Sequence, residues 1–241
     1  MSGHSKWAQI KRQKGTADKK KGQAFSKLAR ELAIAAKLGG DPASNFKLRL
    51  VMDRAKDAGM TKDAIERAVK RGTGEDKDAA VIEDAIYEGY GPGGTAFYIQ
   101  TATDNTNRTH GNLRTIFTKH GGNLASRGSV AFLFSSRGQI LVPRDGNPNL
   151  EELELQAIDL GAEDVRPSDE GLEIYTVPLD LEKIKQGLEK AGIKIASAEV
   201  IMQPQNTVEI TDEQLKKQII NLSSALEEDE DVIGVHTNAS F

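Results

Sequence analysis

Two residue clusters have spacings that can carry chemistry. Gly89-Tyr-Gly91-Pro-Gly93-Gly94 matches G-x-G-x-x-G, the turn that presents a helix N-terminus to a pyrophosphate in dinucleotide-binding folds. The succeeding segment, Thr95-Ala-Phe-Tyr-Ile-Gln, reads as a strand rather than a helix, and Pro92 suits a turn, so the spacing predicts a β-hairpin connection. Thr103-Asp-Asn-Thr-Asn-Arg-Thr109 joins a strand to a helix that also carries Arg114. Asp104 and Asn105 suit a helix cap, whereas Asn107, Arg108 and Arg114 beside a helix N-terminus could hold a phosphate; capping is the simpler reading. His110 and His120 share that helix, but spacing sets no nucleophile or carboxylate beside them, and the chain has no cysteine. Catalytic residues, bound metal, cofactor and small-molecule substrate are therefore not expected, and the chain reads as a non-enzyme.

Charge points to a different kind of partner. Residues 1–72 carry eighteen Lys or Arg against seven Asp or Glu, a net +11, while the remainder carries fourteen against twenty-nine, a net -15; together they give the chain's -4. So local an excess is the electrostatic footprint of a polyanion site, and nucleic acid is the leading polyanion. The candidate contacts are His4, Lys6, Trp7, Lys11, Arg12, Lys14, Lys19, Lys20, Lys21, Lys27 and Arg30, densest at Lys19-Lys20-Lys21. Trp7, the sole tryptophan, sits among cations, where it could stack on a base or anchor the arm. Glu227-Glu-Asp-Glu-Asp231 places five acids at the end of a predicted helix, the wrong pole for negative charge. A solvated cap is the simple reading, and shielding of the basic segment is the alternative. Hydrophobic residues make up 38% of the chain, with no stretch near the ~20 apolar residues of a membrane span, so no membrane partner is expected. Met1 to Lys14 is basic without an apolar run, which predicts a cytoplasmic protein.

These clusters need elements to position them. After an arm over residues 1–16, apolar spacing predicts a helix from Asp18 to just before Gly39. A second is opened by Asp41 as N-cap with Pro42 and closed by Gly59, and a third is capped by Thr61 and stopped by Gly72. Residues 73–80 read as a linker. Beyond it, strands at 85–90, 96–102 and 129–134 flank a helix near 108–120. Residues 138–203 spell β-α-β-β-α-β, and 205–241 give β-α-β. The fold class is thus α+β: a basic three-helix domain with its arm (1–78), a discontinuous α/β domain (79–136 plus 204–241), and a ferredoxin-like domain (137–203) inserted into it.

The opening Gly3-His-Ser-Lys-Trp7 with Ile10-Lys11 and then Glu88-Gly-Tyr-Gly-Pro-Gly-Gly94 resemble the YebC family. Thr103-Asp-Asn105, Asn107-Arg-Thr109, Gly121-Gly122, Gly128-Ser-Val130 and Ser197-Ala-Glu199 come in the family's order, so the resemblance spans nearly the whole chain. Thr106 and His110-Gly-Asn112 depart from the pattern. The resemblance implies an N-terminal helical domain before two α/β domains, the middle one discontinuous, and no enzymatic activity. It also implies a DNA-binding transcriptional regulator, or alternatively a translation factor on ribosomal RNA that relieves stalling at proline-rich stretches. A mitochondrial relative of the family is a translational activator of cytochrome c oxidase. Sequence leaves DNA against RNA, the target recognised and the oligomeric state open.

Overall fold

The structure, a computed structural model, describes residues 19–76, 78–147 and 149–241. It divides into two compact units, one of residues up to 134 together with 204–241, the other of residues 135–203.

The first unit begins with α1 (Lys19–Ala36), α2 (Phe46–Asp57) and α3 (Lys62–Thr73). Apolar residues at helical spacing make their common core, with Leu28, Leu32 and Ala36 of α1 meeting Leu48 and Ala55 of α2 and Ile65 and Ala68 of α3. Thr61 caps α3 by accepting from the Ala64 N–H, as its position suggests. Two boundaries differ from expectation. Asp41 holds a turn, accepting from the Ala43 N–H, and the N-cap of α2 is Asn45. Asn45 is buried, and its amide donates at 2.7 Å to the carbonyls of Ala35 and Gly39, so one side chain starts α2 and finishes α1. Gly72 does not stop α3, which ends at Gly74 in the left-handed conformation. Gly72 is instead a crossing point: a Cβ there would lie 2.2 Å from the Ala33 carbonyl oxygen of α1. Gly72→Ala should therefore push α1 and α3 apart and cost about 1–3 kcal/mol, measured by urea unfolding followed by circular dichroism. Wild-type stability in that variant would show that α1 has room to shift.

The same unit continues with β1 (Glu83–Tyr90), β2 (Ala96–Thr103), α4 (Thr106–Lys119) and β3 (Asn123–Ala125). After the second unit it resumes with β8 (Val208–Glu209), α7 (Glu213–Glu228), β9 (Val232–Thr237) and β10 (Ala239–Ser240). The main sheet runs β3-β1-β2-β9, its three pairings antiparallel, and β8 and β10 pair in parallel beside it. β2 is buried almost throughout because both its faces are covered. Phe97 and Ile99 join Leu113 and Phe117 of α4 and Ile219, Leu222 and Leu226 of α7, while Ala102 meets Ala33 of α1 and Ile82. The expected strand at 129–134 is a 3₁₀ turn over Ala131–Leu133, and the edge strand lies earlier, at β3. Apolar residues at 130–134 mimic a strand pattern, but the Glu88 side chain takes the N–H groups of Gly128, Val130 and Ala131 and holds the backbone in a turn.

In the second unit β4 (Phe134–Pro143), which enters from the first, is followed by α5 (Leu150–Asp159), β5 (Asp164–Pro167), β6 (Gly171–Thr176), α6 (Leu181–Lys190) and β7 (Ser197–Pro204). The order β5-β6-β4-β7 is the ferredoxin-like arrangement. Strand alternation puts Ile140 and Val142 on one face, opposite Ile174 and Leu172 in the register. Leu153 and Ala157 of α5 and Leu181, Ile184 and Leu188 of α6 are buried with them.

Candidate nucleic-acid interface

The arm's candidate contacts, His4, Lys6, Trp7, Lys11, Arg12 and Lys14, lie outside the described residues. Lys19, Lys20 and Lys21 form the first turn of α1. Farther along that helix Lys27 and Arg30 turn toward the chain's own acids. The Lys27 ammonium donates to the Glu227 carbonyl, and the Arg30 guanidinium donates to the Glu230 carbonyl and reaches Asp231 Oδ1 at 2.9 Å. Burial lowers the pKa of Lys27 from its ordinary value, with Asp229 and Glu227 pulling the other way. Exposed cations lie elsewhere on the helices: Lys47, Arg67 and Lys70, together with Lys37 and Lys62, which have long contacts to Asp84 and Glu66, and Lys56, which donates to Asp53 at 3.3 Å.

Asp231 is the centre of a small network. Its side chain is 2% exposed and accepts from Arg108 at 2.9 and 3.0 Å and from the Thr109 hydroxyl at 2.7 Å, besides Arg30. The local sequence places it. Asp229 caps the end of α7 and its carboxylate accepts from the Asp231 N–H at 3.0 Å, while the Asp231 carbonyl accepts from the Ala102 N–H of β2 at 2.8 Å. The acidic run is thus not uniformly solvated: its last member is built into the fold.

Asn105 is the N-cap of α4, accepting from the Arg108 N–H at 3.0 Å. Asp104 accepts from Arg108 at 2.8 Å, and this hydrogen bond lowers the Asp104 pKa and, after the bond to Asp231, raises that of Arg108. Asn107 and Arg114 are exposed on the outer side of α4. Arg30, Asp104, Arg108, Asn112, Asp229, Glu230 and Asp231 line a cleft of about 350 Å³. Two cations against four acids make it a poor phosphate site, and its chemistry is that of a clamp between α1, α4 and the end of α7. Among the described residues no group of His, Asp and Glu has the arrangement of a metal site. Among them, too, no helix is long and apolar enough to cross a membrane.

The glycine-rich segment forms the connection of the β1–β2 hairpin. Gly91 N–H donates to the Thr95 carbonyl at 2.7 Å, and Gly93 and Gly94 adopt φ of 71° and 73°, which an L side chain resists. Glu88, just before it, is 2% exposed. Its carboxylate accepts the backbone N–H groups of Gly128, Val130 and Ala131 at 2.6, 2.6 and 2.8 Å. Burial would raise its pKa, but these three hydrogen bonds and the charge of Arg127 outweigh that and hold it below the ordinary value. Glu88 thereby fixes the 128–131 turn against β1. Sequence reasoning misses the role of both Glu88 and Asp231. Each lies inside a conspicuous segment, but a buried acceptor is recognised only once its donors, 40 and more than 120 residues away, are known.

A model of the TACO1/YebC protein N-terminal domain matches residues 5–75, and one of the TACO1/YebC second and third domain matches residues 82–239. A probable transcriptional regulatory protein of Dehalococcoides mccartyi is 50% identical over 242 residues, spanning 100% of this chain and 95% of its own. A protein of the same name from Moorella thermoacetica is 48% identical over 243 residues, spanning 100% and 96%. The crystal structure of a conserved hypothetical protein from Aquifex aeolicus superposes with a TM-score of 0.85 at 45% identity, over 92% of this chain and 91% of that one. With both parts of the chain matched and relatives aligned from end to end, the protein belongs to the TACO1/YebC family.

Proposed function

We infer that this is a cytoplasmic, non-enzymatic nucleic-acid-binding regulator of gene expression, most simply a DNA-binding transcriptional regulator. The observation that carries this reading is the segregation of charge, +11 over residues 1–72 against -15 over the rest, on a chain whose relatives bear a regulator's name. Phosphates would be held by the arm and the start of α1, through Lys6, Lys11, Arg12, Lys14, Lys19, Lys20 and Lys21, with His4 beside them and Trp7 stacking on a base. Lys27 and Arg30, engaged with residues 227–231, orient α1 and add positive potential. A second reading, binding to ribosomal RNA in translation, draws on the spread of exposed cations over α2 and α3. They do not form the single row of base-reading side chains that a major-groove helix presents.

The test keeps the chain whole, because removing the helices would uncover Ala102 and Ile82. Binding to a DNA duplex and to a ribosomal RNA fragment is followed by fluorescence anisotropy over a salt series. Lys19, Lys20 and Lys21 changed together to Gln should lower the salt slope on duplex by about three, at roughly 0.9 per phosphate released. A slope unchanged by the triple variant would remove these lysines from the interface. Tighter, more salt-resistant binding to the RNA fragment would select the translation reading.

A further inference from the structure

The strongly acidic balance beyond residue 72 hides a stretch of opposite character. From Asn105 to Arg144 there is no Asp or Glu, while Arg108, Arg114, Lys119, Arg127, Arg137 and Arg144 are basic. Within the first unit Arg108 is bound to Asp104 and Asp231, but Arg114, Lys119 and Arg127 are exposed. Lys119 ends α4 just before β3, the sheet's edge strand, and Arg127 follows β3. Beyond Arg127 comes the turn gripped by Glu88, and on it Phe132 is 68% exposed. Val130 and Phe134 are buried and Ala131 and Leu133 half-buried, so Phe132 is the ring of this turn that is held outward. A second ring is tied to the same turn: the Tyr90 hydroxyl donates to the Ser129 carbonyl at 2.9 Å, and Tyr90 is 36% exposed.

A lone exposed aromatic is ordinary on a protein surface and needs no account. This one sits on backbone fixed by three hydrogen bonds to the buried Glu88 carboxylate, in a turn to which a second ring is also tied, and the chain from Asn105 to Arg144 brings arginines and no further acid. One outward ring and a half-exposed tyrosine are fewer apolar groups than the core of a standard protein interface gathers. Cations for phosphates with rigid rings for bases are what a single strand requires, and a paired duplex does not offer its base faces. We propose that the Phe132 turn, with Tyr90 and Arg127, is a second contact for nucleic acid, where an unpaired base stacks on Phe132 and a neighbouring phosphate meets Arg127. This rests on nucleic acid being the partner, and it locates a strand-selective contact away from the basic helices.

The full-length protein is titrated against a fluorescein-labelled 12-nucleotide single-stranded RNA, the DNA strand of the same sequence, and the corresponding DNA duplex. Phe132→Ala should weaken binding to the single strands about tenfold, as expected for one lost base–aromatic stack, with the salt slope and duplex binding unchanged. Phe132→Tyr should bind as the wild type does. Arg127→Ala should lower the single-strand salt slope by about 0.7, the value of one phosphate. Circular dichroism melts matching the wild type show that the turn is intact. Equal single-strand affinity for wild type and Phe132→Ala overturns the proposal, as does an equal loss on duplex, while leaving the lysines of α1 as a binding site. If the wild type binds none of the three probes, the nucleic-acid reading falls with it. Preference between the RNA and DNA strands shows which of the two supplies the unpaired base.

Discussion

Asp231→Ala should destabilise the first unit by about 3–5 kcal/mol, the range seen when one partner of a buried, hydrogen-bonded ion pair is removed. The side chain is almost fully enclosed and serves Arg30, Arg108 and Thr109 together. Arg30 is itself only 17% exposed and would lose its direct carboxylate partner, keeping its hydrogen bond to the Glu230 carbonyl, whereas Arg108, 44% exposed, would be rescued largely by water. The loss should concentrate where α1 meets the sheet. Hydrogen exchange over α1 and β9 would accelerate well before that of the second unit. Asp231→Asn keeps the shape and one acceptor oxygen and should cost less. Equal urea midpoints for wild type and Asp231→Ala would show that apolar contacts alone seat α1.

Glu88→Ala should be nearly as costly, about 3 kcal/mol, because three backbone N–H groups lose a charged acceptor at once. The carboxyl is held below its ordinary pKa in the fold, so its ionised form is favoured there. Its contribution is complete above the unfolded value near 4.5 and disappears as pH falls through the lower folded value. Urea midpoints of the wild type should therefore drop on acidification through that window. Glu88→Gln should start lower at neutral pH and fall less. Parallel acid limbs for the two proteins would show that Glu88 is not among the titrating groups that stabilise the native state.

Much of this architecture is readable from local pattern. Helices α1 and α3, the β1–β2 hairpin and the order of elements in the ferredoxin-like unit all come from periodicity and turn residues, which act over a few positions. Local pattern fails where distant groups decide. Residues 129–134 look like a strand until Glu88 takes three of the local N–H groups, and Gly72 looks like a stop until α1 is laid across it. At the candidate site, sequence locates Asp104, Asn105 and Arg108 as a cap with charge to spare. It cannot show that the extra charge of Arg108 answers Asp231, because that pairing spans the insertion of a whole unit.

The insertion also sets an order of events. Its two ends leave and re-enter side by side, with the Gln205 N–H donating to the Leu133 carbonyl at 2.8 Å, so residues 135–203 form a closed loop that completes itself from its own strands. The first unit lacks that independence. Its central strand β2 is covered on one edge only when β9 arrives, pairing Phe97 with Thr237, and the carboxylate that seats α1 is made just before β9. As the chain emerges from N- to C-terminus, the inserted unit has every residue it needs while the basic helices and the β1–β2 hairpin are still waiting. The helices that emerge ahead of the insertion are thus the last to be seated on a finished sheet, and a chain truncated between Pro204 and Asp231 keeps a ferredoxin-like unit and the helices' own core but lacks the carboxylate that ties α1 to the sheet.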